Sequence, residues 1–197
     1  MSNWEKARRF SHIGMSSDCN LSYAWQYQNA YEVLYKSNAP VDTIALPMLY
    51  IMRHYLELAL KFNIDYFHEY SGSRNMVGKS VHSLSSLSNA FKEHWKLTKD
   101  RYNITVEDCG MLRDFSNLVK QLDELDSYAI SFRYSHDREL NKNFQWLDTV
   151  DVYKLNELFE SATTLLNHSV DVFGDSTGLM HGLVTKEQLI EHVKDGI

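Results

Sequence analysis

Cysteine, proline and glycine are all scarce in this chain of 197 residues, which has two cysteines, two prolines and eight glycines. Neither Cys19 nor Cys109 belongs to a Cys-x-x-Cys pair, so the sequence has no zinc knuckle and no dithiol redox motif. With so few helix-breaking residues, the chain suits long helices better than a β fold with many turns. A chain of this length buries roughly 70% of its unfolded surface and can fold without a metal or a disulfide.

Long apolar runs and an excess of basic residues are missing as well. The first residues lack the apolar stretch of a signal peptide, and no run approaches the ~20 apolar residues of a transmembrane helix. We therefore expect a soluble cytoplasmic protein with no membrane partner. The net charge is −6. Because binding to phosphates requires clustered cations, an acidic chain of this kind must contact any nucleic acid through a local patch.

Apolar residues recur at helical spacing in five longer segments. The pattern predicts an all-α bundle in a single domain, with helices over about residues 17–36, 46–68, 80–96, 105–132 and 150–172. Pro47 fits the first turn of the second helix, where its missing N–H costs nothing. Thr185-Lys-Glu-Gln188 is a capping box that opens a short sixth helix. Residues 133–147 break the pattern and are interpreted as a loop with room for a short hairpin.

Several enzyme motifs are incomplete or missing. Gly78-Lys79-Ser80 matches the end of a phosphate-binding P-loop, but Ser73 replaces the first glycine and no strand precedes the loop. No two histidines lie three or four residues apart, so no helical zinc site is predicted. There is also no Gly-x-Ser-x-Gly nucleophile elbow. The sequence therefore predicts neither a metal nor a cofactor.

Two cationic segments are candidates for binding an anion. The first has four basic residues around Trp95, namely Lys92, Lys96, Lys99 and Arg101, and we interpret it as a solvated helix face. The second is the polar and aromatic run from Phe132 to Arg138, which follows a long amphipathic helix. Its Arg133 can stabilise the helix C-terminus. Alternatively, Arg133 and His136 form a functional pocket, where the arginine binds a phosphate and the histidine transfers protons.

Three segments resemble, in order, parts of the HEPN (higher eukaryote and prokaryote nucleotide-binding) superfamily. The run from Leu49 to Lys61, Leu-Tyr-Ile-Met-Arg-His-Tyr-Leu-Glu-Leu-Ala-Leu-Lys, is similar to the central helix of those proteins. His82-Ser-Leu84-Ser-Ser-Leu87 resembles the motif that opens their next helix. The stretch from Leu122 to Tyr134 resembles a helix that ends in an Arg-Tyr-Pro turn, with Ser135 in the place of the proline. The resemblance covers about residues 45–137.

The resemblance implies a helical core over about residues 17–172, a C-terminal extension over 173–197, and a homodimer. Many HEPN proteins belong to toxin–antitoxin, abortive-infection and other prokaryotic defence systems, and the active ones are metal-independent ribonucleases. Their signature is an arginine followed by a histidine four to six residues later, with two copies meeting across the dimer. Here Arg133 and His136 are closer together, and no other arginine of the matching region has the signature spacing.

Two functions therefore remain open. In the first, the chain binds RNA or a nucleotide in a stress or phage-defence system and cleaves RNA without a metal through Arg133 and His136. In the second, it is a non-catalytic scaffold or regulator that recognises a protein partner. The many tyrosines and tryptophans favour an interface in either case, since aromatic residues are enriched there.

The second and fourth helices must pack in the same bundle, which predicts a polar pocket between them. We expect Glu57 to pair with Arg133, or Arg53 to pair with Asp137, because a partly buried guanidinium needs an anionic partner. The pocket is predicted to hold three further side chains, those of His54, Tyr134 and His136.

Overall fold

The computed structural model describes residues 13–16, 18–74, 77, 81–126 and 130–194, and the all-α prediction is confirmed. A short 3-10 turn, Ile13–Ser16, precedes α1 (Asn20–Tyr35), α2 (Val41–Ser71), α3 (Leu84–Tyr102), α4 (Cys109–Leu125), α5 (Val152–Thr177) and α6 (Lys186–Lys194). The only β contact in these residues is an isolated bridge between His136 and Lys142. No helix in the described part of the chain is both long and apolar enough to cross a bilayer.

Helix α2 is the centre of the bundle, and α1, α3, α5 and α6 all pack against it. Its 31 residues extend for about 46 Å at 1.5 Å per residue. Apolar side chains are fully buried along its length, among them Leu56, Leu60 and Phe67. Burying a leucine or phenylalanine side chain contributes about 1.5–3 kcal/mol. Helix α4 completes the core by packing against α5 and α3.

Both ends of α2 are set by residues with restricted or unusual backbone conformations. Pro40, at φ −57°, precedes the first helical residue, and Gly72 ends the helix at φ +71°. A side chain at Gly72 would be strained at this φ, and its Cβ would lie 2.7 Å from Nη2 of Arg101. Glycine is therefore required where α2 turns toward α3.

The prediction that Pro47 lies in the first turn of its helix is wrong. Helix α2 begins at Val41, so Pro47 lies inside it. Proline has no N–H to donate to the carbonyl of Thr43, and a proline in a helix interior costs about 3 kcal/mol. The apolar face continues on both sides of Pro47, with Met48 and Leu49 buried directly after it. Tertiary packing thus extends the helix beyond the start that local signals indicate.

Other helix boundaries also differ from the predicted ones. Helix α4 ends at Leu125 rather than near residue 132, because the Asp126 side chain accepts the backbone N–H groups of Ile130 and Ser131 at 2.7 and 2.8 Å. Helix α3 begins at Leu84, where Ser83 accepts from the backbone N–H of Ser86. Helix α5 continues to Thr177. Residues 78–80, which include the predicted helix start and the Gly-Lys-Ser motif, and 127–129 lie outside the described residues.

The C-terminal helix is joined to the bundle by polar contacts. The predicted capping box is confirmed, since Thr185 and Gln188 exchange hydrogen bonds of 2.8 and 3.3 Å. The Tyr102 hydroxyl donates to the Leu189 carbonyl at 2.8 Å, and Lys186 pairs with Glu69. The expected division between a helical core and a C-terminal extension, at residues 172 and 173, falls inside α5. The C-terminal helix α6 packs against α2.

Replacing Leu60 by alanine should destabilise the fold by about 2–5 kcal/mol, because a fully buried leucine leaves a cavity in the core. The matched control is Val33→Ala on α1, where the side chain is 72% exposed and the cost should stay within about 0.5 kcal/mol. Urea denaturation followed by circular dichroism measures both. Equal effects of the two substitutions would contradict the described core.

Candidate functional site

A groove of about 390 Å³ lies beside the turn that follows α4. Polar side chains on its lining are Arg133, Tyr134, His136 and Lys142, and apolar ones are Leu46, Phe132 and Phe144. The rings of Phe132 and Phe144 stack at 6.1 Å between centroids. The residues that the sequence suggested as a catalytic pair, Arg133 and His136, are therefore neighbours on one groove.

A short hairpin brings His136 and Lys142 together. The backbone N–H groups of Arg133 and Tyr134 both donate to the Ile130 carbonyl, which bends the chain directly before the groove. An isolated β-bridge between His136 and Lys142 then closes the hairpin. The sequence pattern had allowed a short hairpin in this loop. The side-chain amide of Asn143 donates to the Tyr134 carbonyl at 2.6 Å and fixes the returning half of the hairpin.

Arg133 is exposed and its guanidinium lies over two aromatic rings. Its Cζ is 5.9 Å from the ring centre of Tyr50 and 5.5 Å from that of Tyr134. A guanidinium in this position is attracted by the π faces of both rings. The contact with Tyr50 connects the groove to α2.

The predicted pair between Arg53 and Asp137 is wrong. Arg53 is only 3% exposed, and it donates to the carbonyls of Asp126 and His82 at 3.2 and 3.1 Å. Its charge is compensated by the carboxylates of Asp126 and Asp123, at 3.6 and 3.9 Å. Arg53 lies inside the bundle, whereas Asp137 belongs to the hairpin. The buried guanidinium of Arg53 is thus paired with carboxylates at the end of α4.

The Arg53–Asp126 contact also determines how the chain reaches the groove. One Asp126 oxygen accepts the N–H groups of Ile130 and Ser131, the residues that lead into Arg133. Asp123 is held by the backbone N–H and hydroxyl of Ser85 at the start of α3. Removing one partner of a buried ion pair costs about 3–5 kcal/mol. We infer that Arg53 positions the turn without lining the groove.

The predicted pair between Glu57 and Arg133 is also wrong. The buried Glu57 carboxylate accepts from Lys61 Nζ at 2.8 Å and lies 2.9 Å from Nδ1 of His82. Burial raises the pKa of Glu57, but the hydrogen bonds from Lys61 and His82 outweigh it and leave the pKa below its ordinary value. The side chain of His82 is 62% exposed, so a buried carboxylate orients an accessible imidazole.

His54 is half-buried between two tyrosines of α1 and α2. The edge of its ring meets Tyr27 at 4.5 Å between centroids, and its face stacks on Tyr50 at 5.8 Å. Burial lowers the pKa of His54; the Glu57 carboxylate opposes this effect, and Lys61, Arg133 and His82 add to it. Tyr50 also contacts Arg133, so this ring connects His54 to the groove, but the His54 side chain is not part of the groove lining.

Asp137 stabilises the hairpin and is absent from the groove lining. Its carboxylate accepts from the backbone N–H groups of Glu139 and Asn141 and from the Asn141 side chain. These hydrogen bonds lower the pKa of Asp137, and that of the Asn141 side chain contributes most to the lowering. Its predicted place in the polar pocket is therefore replaced by a turn-forming role.

Sequence reasoning missed three residues of this region: Tyr50, His82 and Lys142. Tyr50, His54, Glu57 and Lys61 follow one another at spacings of four and three, which is a helix face that could have been recognised. Lys142 gave no local signal, because only the hairpin brings it to His136.

The basic segment around Trp95 has two of its four cations paired with carboxylates. Lys99 pairs with the buried Asp108 at 2.6 Å, and Lys96 pairs with Asp100 at 2.7 Å. Trp95 is buried and donates to Asp108. This segment therefore offers no free aromatic ring to a ligand. Within the described residues, no three His, Cys, Asp or Glu side chains gather as metal ligands would.

Replacing Glu57 by glutamine should lower stability by about 1.5–3 kcal/mol at pH 7, since hydrogen bonds of a charged carboxylate are lost. A lowered pKa means that the Glu57 contribution is complete above the ordinary value of 4.5 and is lost as the pH falls through the folded-state pKa. The difference between wild type and Glu57→Gln should therefore shrink below pH 4.5. Thermal melts between pH 3 and 7 measure this difference in stability. The control is Glu157→Gln, at an exposed glutamate. A difference that does not depend on pH would contradict a stabilising role of the charged Glu57 carboxylate.

The comparisons with known proteins return no match: no family model fits the chain, and neither a curated protein nor a solved structure is significantly similar to it.

Proposed function

We propose that this chain is a HEPN-like RNA-binding protein of a prokaryotic stress or phage-defence system, acting in the cytoplasm and cleaving RNA without a metal. The observation that carries the proposal is the groove on which Arg133, His136 and Lys142 converge. Two cations and an imidazole on one concave surface suit a phosphodiester, because each can donate a hydrogen bond to phosphate oxygens. The ligand is RNA or a nucleotide fragment of it.

Exposed aromatic rings on the groove and in the loop that follows it support a single-stranded ligand. Tyr134 is 59% exposed and Trp146, further along the same loop, is 98% exposed. Bases of single-stranded nucleic acids stack on such rings, and each base contributes about 1–3 kcal/mol. The chain as a whole is acidic, so this local combination of cations and aromatic rings is what an RNA-binding function requires.

The same residues suit metal-independent cleavage. Nδ1 of His136 lies 2.9 Å from the Ser135 hydroxyl, and this contact orients the ring so that Nε2 can exchange a proton with the ligand. Arg133 would stabilise the negative charge that develops on phosphorus oxygens during the reaction. A homodimer would place two such grooves in one particle, in keeping with the HEPN resemblance.

Replacing Arg133 or Lys142 by alanine should weaken binding of a fluorescent single-stranded RNA at least about tenfold, because each variant loses a charge-assisted contact to phosphate. His136→Ala should abolish cleavage while the affinity changes little. The control is Lys154→Ala, an exposed lysine on α5. Fluorescence anisotropy gives affinities, and gels of labelled RNA give cleavage.

Expression in bacteria extends the same test to cells. Wild type should arrest growth and degrade RNA, whereas folded Arg133→Ala and His136→Ala variants should not. If the wild type, Arg133→Ala and Lys142→Ala proteins bind RNA equally and none affects growth, the groove is not an RNA site.

A non-catalytic scaffold that recognises a protein partner is the second candidate. It is favoured by the strongly exposed apolar side chains of the hairpin loop, Leu140, Trp146 and Leu147. Loss of partner binding in Trp146→Ala, with RNA affinity unchanged in Arg133→Ala, would favour this function. Light scattering of the wild type tests the homodimer shared by both proposals, and a 23.0 kDa particle at micromolar concentration would contradict it.

A further inference from the structure

Metal-independent cleavage of RNA requires two proton transfers. A base must take the proton of the 2′-hydroxyl, and an acid must protonate the 5′-oxygen that leaves. An arginine does neither, because its guanidinium stays protonated in proteins. Arg133 and His136 therefore provide only one group that can transfer a proton, so cleavage within one chain needs a second one close to the groove.

His54 is connected to the groove through Tyr50 and is the candidate for this second group. Two tyrosine rings hold it in one orientation, with centroid distances of 4.5 Å to Tyr27 and 5.8 Å to Tyr50. Tyr50 contacts the Arg133 guanidinium on the groove, so a single ring joins the imidazole to the phosphate-binding arginine. No hydrogen bond or ion pair within the described residues engages the nitrogens of His54, which remain available to a ligand.

His82, which contacts the same face of α2 further along, is already engaged, because its Nδ1 lies 2.9 Å from the Glu57 carboxylate. His54 differs from His82 because its ring is fixed by packing alone. That arrangement orients an imidazole while keeping its nitrogens free for chemistry.

Resting on the proposed function, we propose that His54 is the general base of the cleavage reaction and that His136 is its general acid. His54 takes the 2′-hydroxyl proton as O2′ forms a bond to phosphorus. The bond between phosphorus and O5′ breaks, and O5′ receives a proton from His136. The products are a 2′,3′-cyclic phosphate and a 5′-hydroxyl, and no other reactant is consumed.

The charges around His54 agree with the role of a base. Burial lowers its pKa from the ordinary value of 6.5; Glu57 raises it, and Lys61, Arg133 and His82 lower it further. The tyrosines that pack on the ring are Tyr27 and Tyr50. The net lowering keeps the imidazole neutral at pH 7, which is the form that accepts a proton.

The test is the pH dependence of kcat/KM for a single-stranded RNA oligonucleotide, measured on wild type and His54→Ala. The wild type should lose activity at acid pH with a midpoint below 6.5, as His54 becomes protonated. His54→Ala should cleave at least about 10²-fold more slowly, lack this acid limb, and regain activity with added imidazole. RNA affinity should stay within threefold of wild type.

Matched controls separate a base from a structural residue. His168→Ala removes an exposed histidine of α5 that pairs with Asp171, and it should leave rate and pH profile unchanged. His54→Gln retains a polar side chain if alanine impairs folding, and it should be equally slow. An oligonucleotide with 2′-deoxyribose should bind without being cleaved.

Cleavage by folded His54→Ala or His54→Gln within threefold of wild type, or with an unchanged acid limb, would overturn this role. A wild type that binds RNA through Arg133 but never cleaves it would overturn the role of His54 and leave RNA binding standing. A wild type that does not bind RNA would reject the proposed function itself.

Discussion

Arg53 is a buried guanidinium that ties three parts of the bundle together. From α2 it reaches the carbonyl of His82 before α3 and the carbonyl of Asp126 after α4, while Asp123 and Asp126 balance its charge. Asp126 in turn receives the N–H groups of Ile130 and Ser131. We infer that the groove owes its position to this ion pair through the turn that Asp126 holds, and a charge this deeply buried can move only at a large cost in free energy.

One face of α2 runs from this groove toward the start of α3. This face carries Tyr50, His54, Glu57 and Lys61. Each of them contacts a side chain from another part of the fold or from α2 itself. Aromatic packing fixes the imidazole of His54, whereas a hydrogen bond to a carboxylate fixes that of His82. The opposite face of the same helix forms the apolar core, so a stable scaffold supports the polar face that carries the proposed chemistry.

Much of the fold follows from local pattern, but the ion pairs do not. Apolar spacing predicted the five longer α-helices, and the Thr185 capping box located α6, because both signals act within a few residues. The polar run after α4 drew attention to Arg133 and His136, which line the same groove. The partners of Arg53 and Glu57 could not be predicted, since Arg53 and Asp126 are 73 residues apart in sequence and helix packing alone decides which carboxylate is near. Pro47 shows the same limit, because tertiary burial there overrides a local helix-start signal.

The most direct test of this account is amide hydrogen exchange in Arg53→Met, which retains an apolar side chain but removes the guanidinium. The Arg53–Asp126 contact holds the turn, so protection of the amides of Ile130, Ser131, Arg133 and Tyr134 should fall at least about tenfold, equivalent to 1.4 kcal/mol. The buried amides of α3 should lose much less. Unchanged protection of the turn, or an equal loss throughout the bundle, would contradict the claim that this buried ion pair positions the groove.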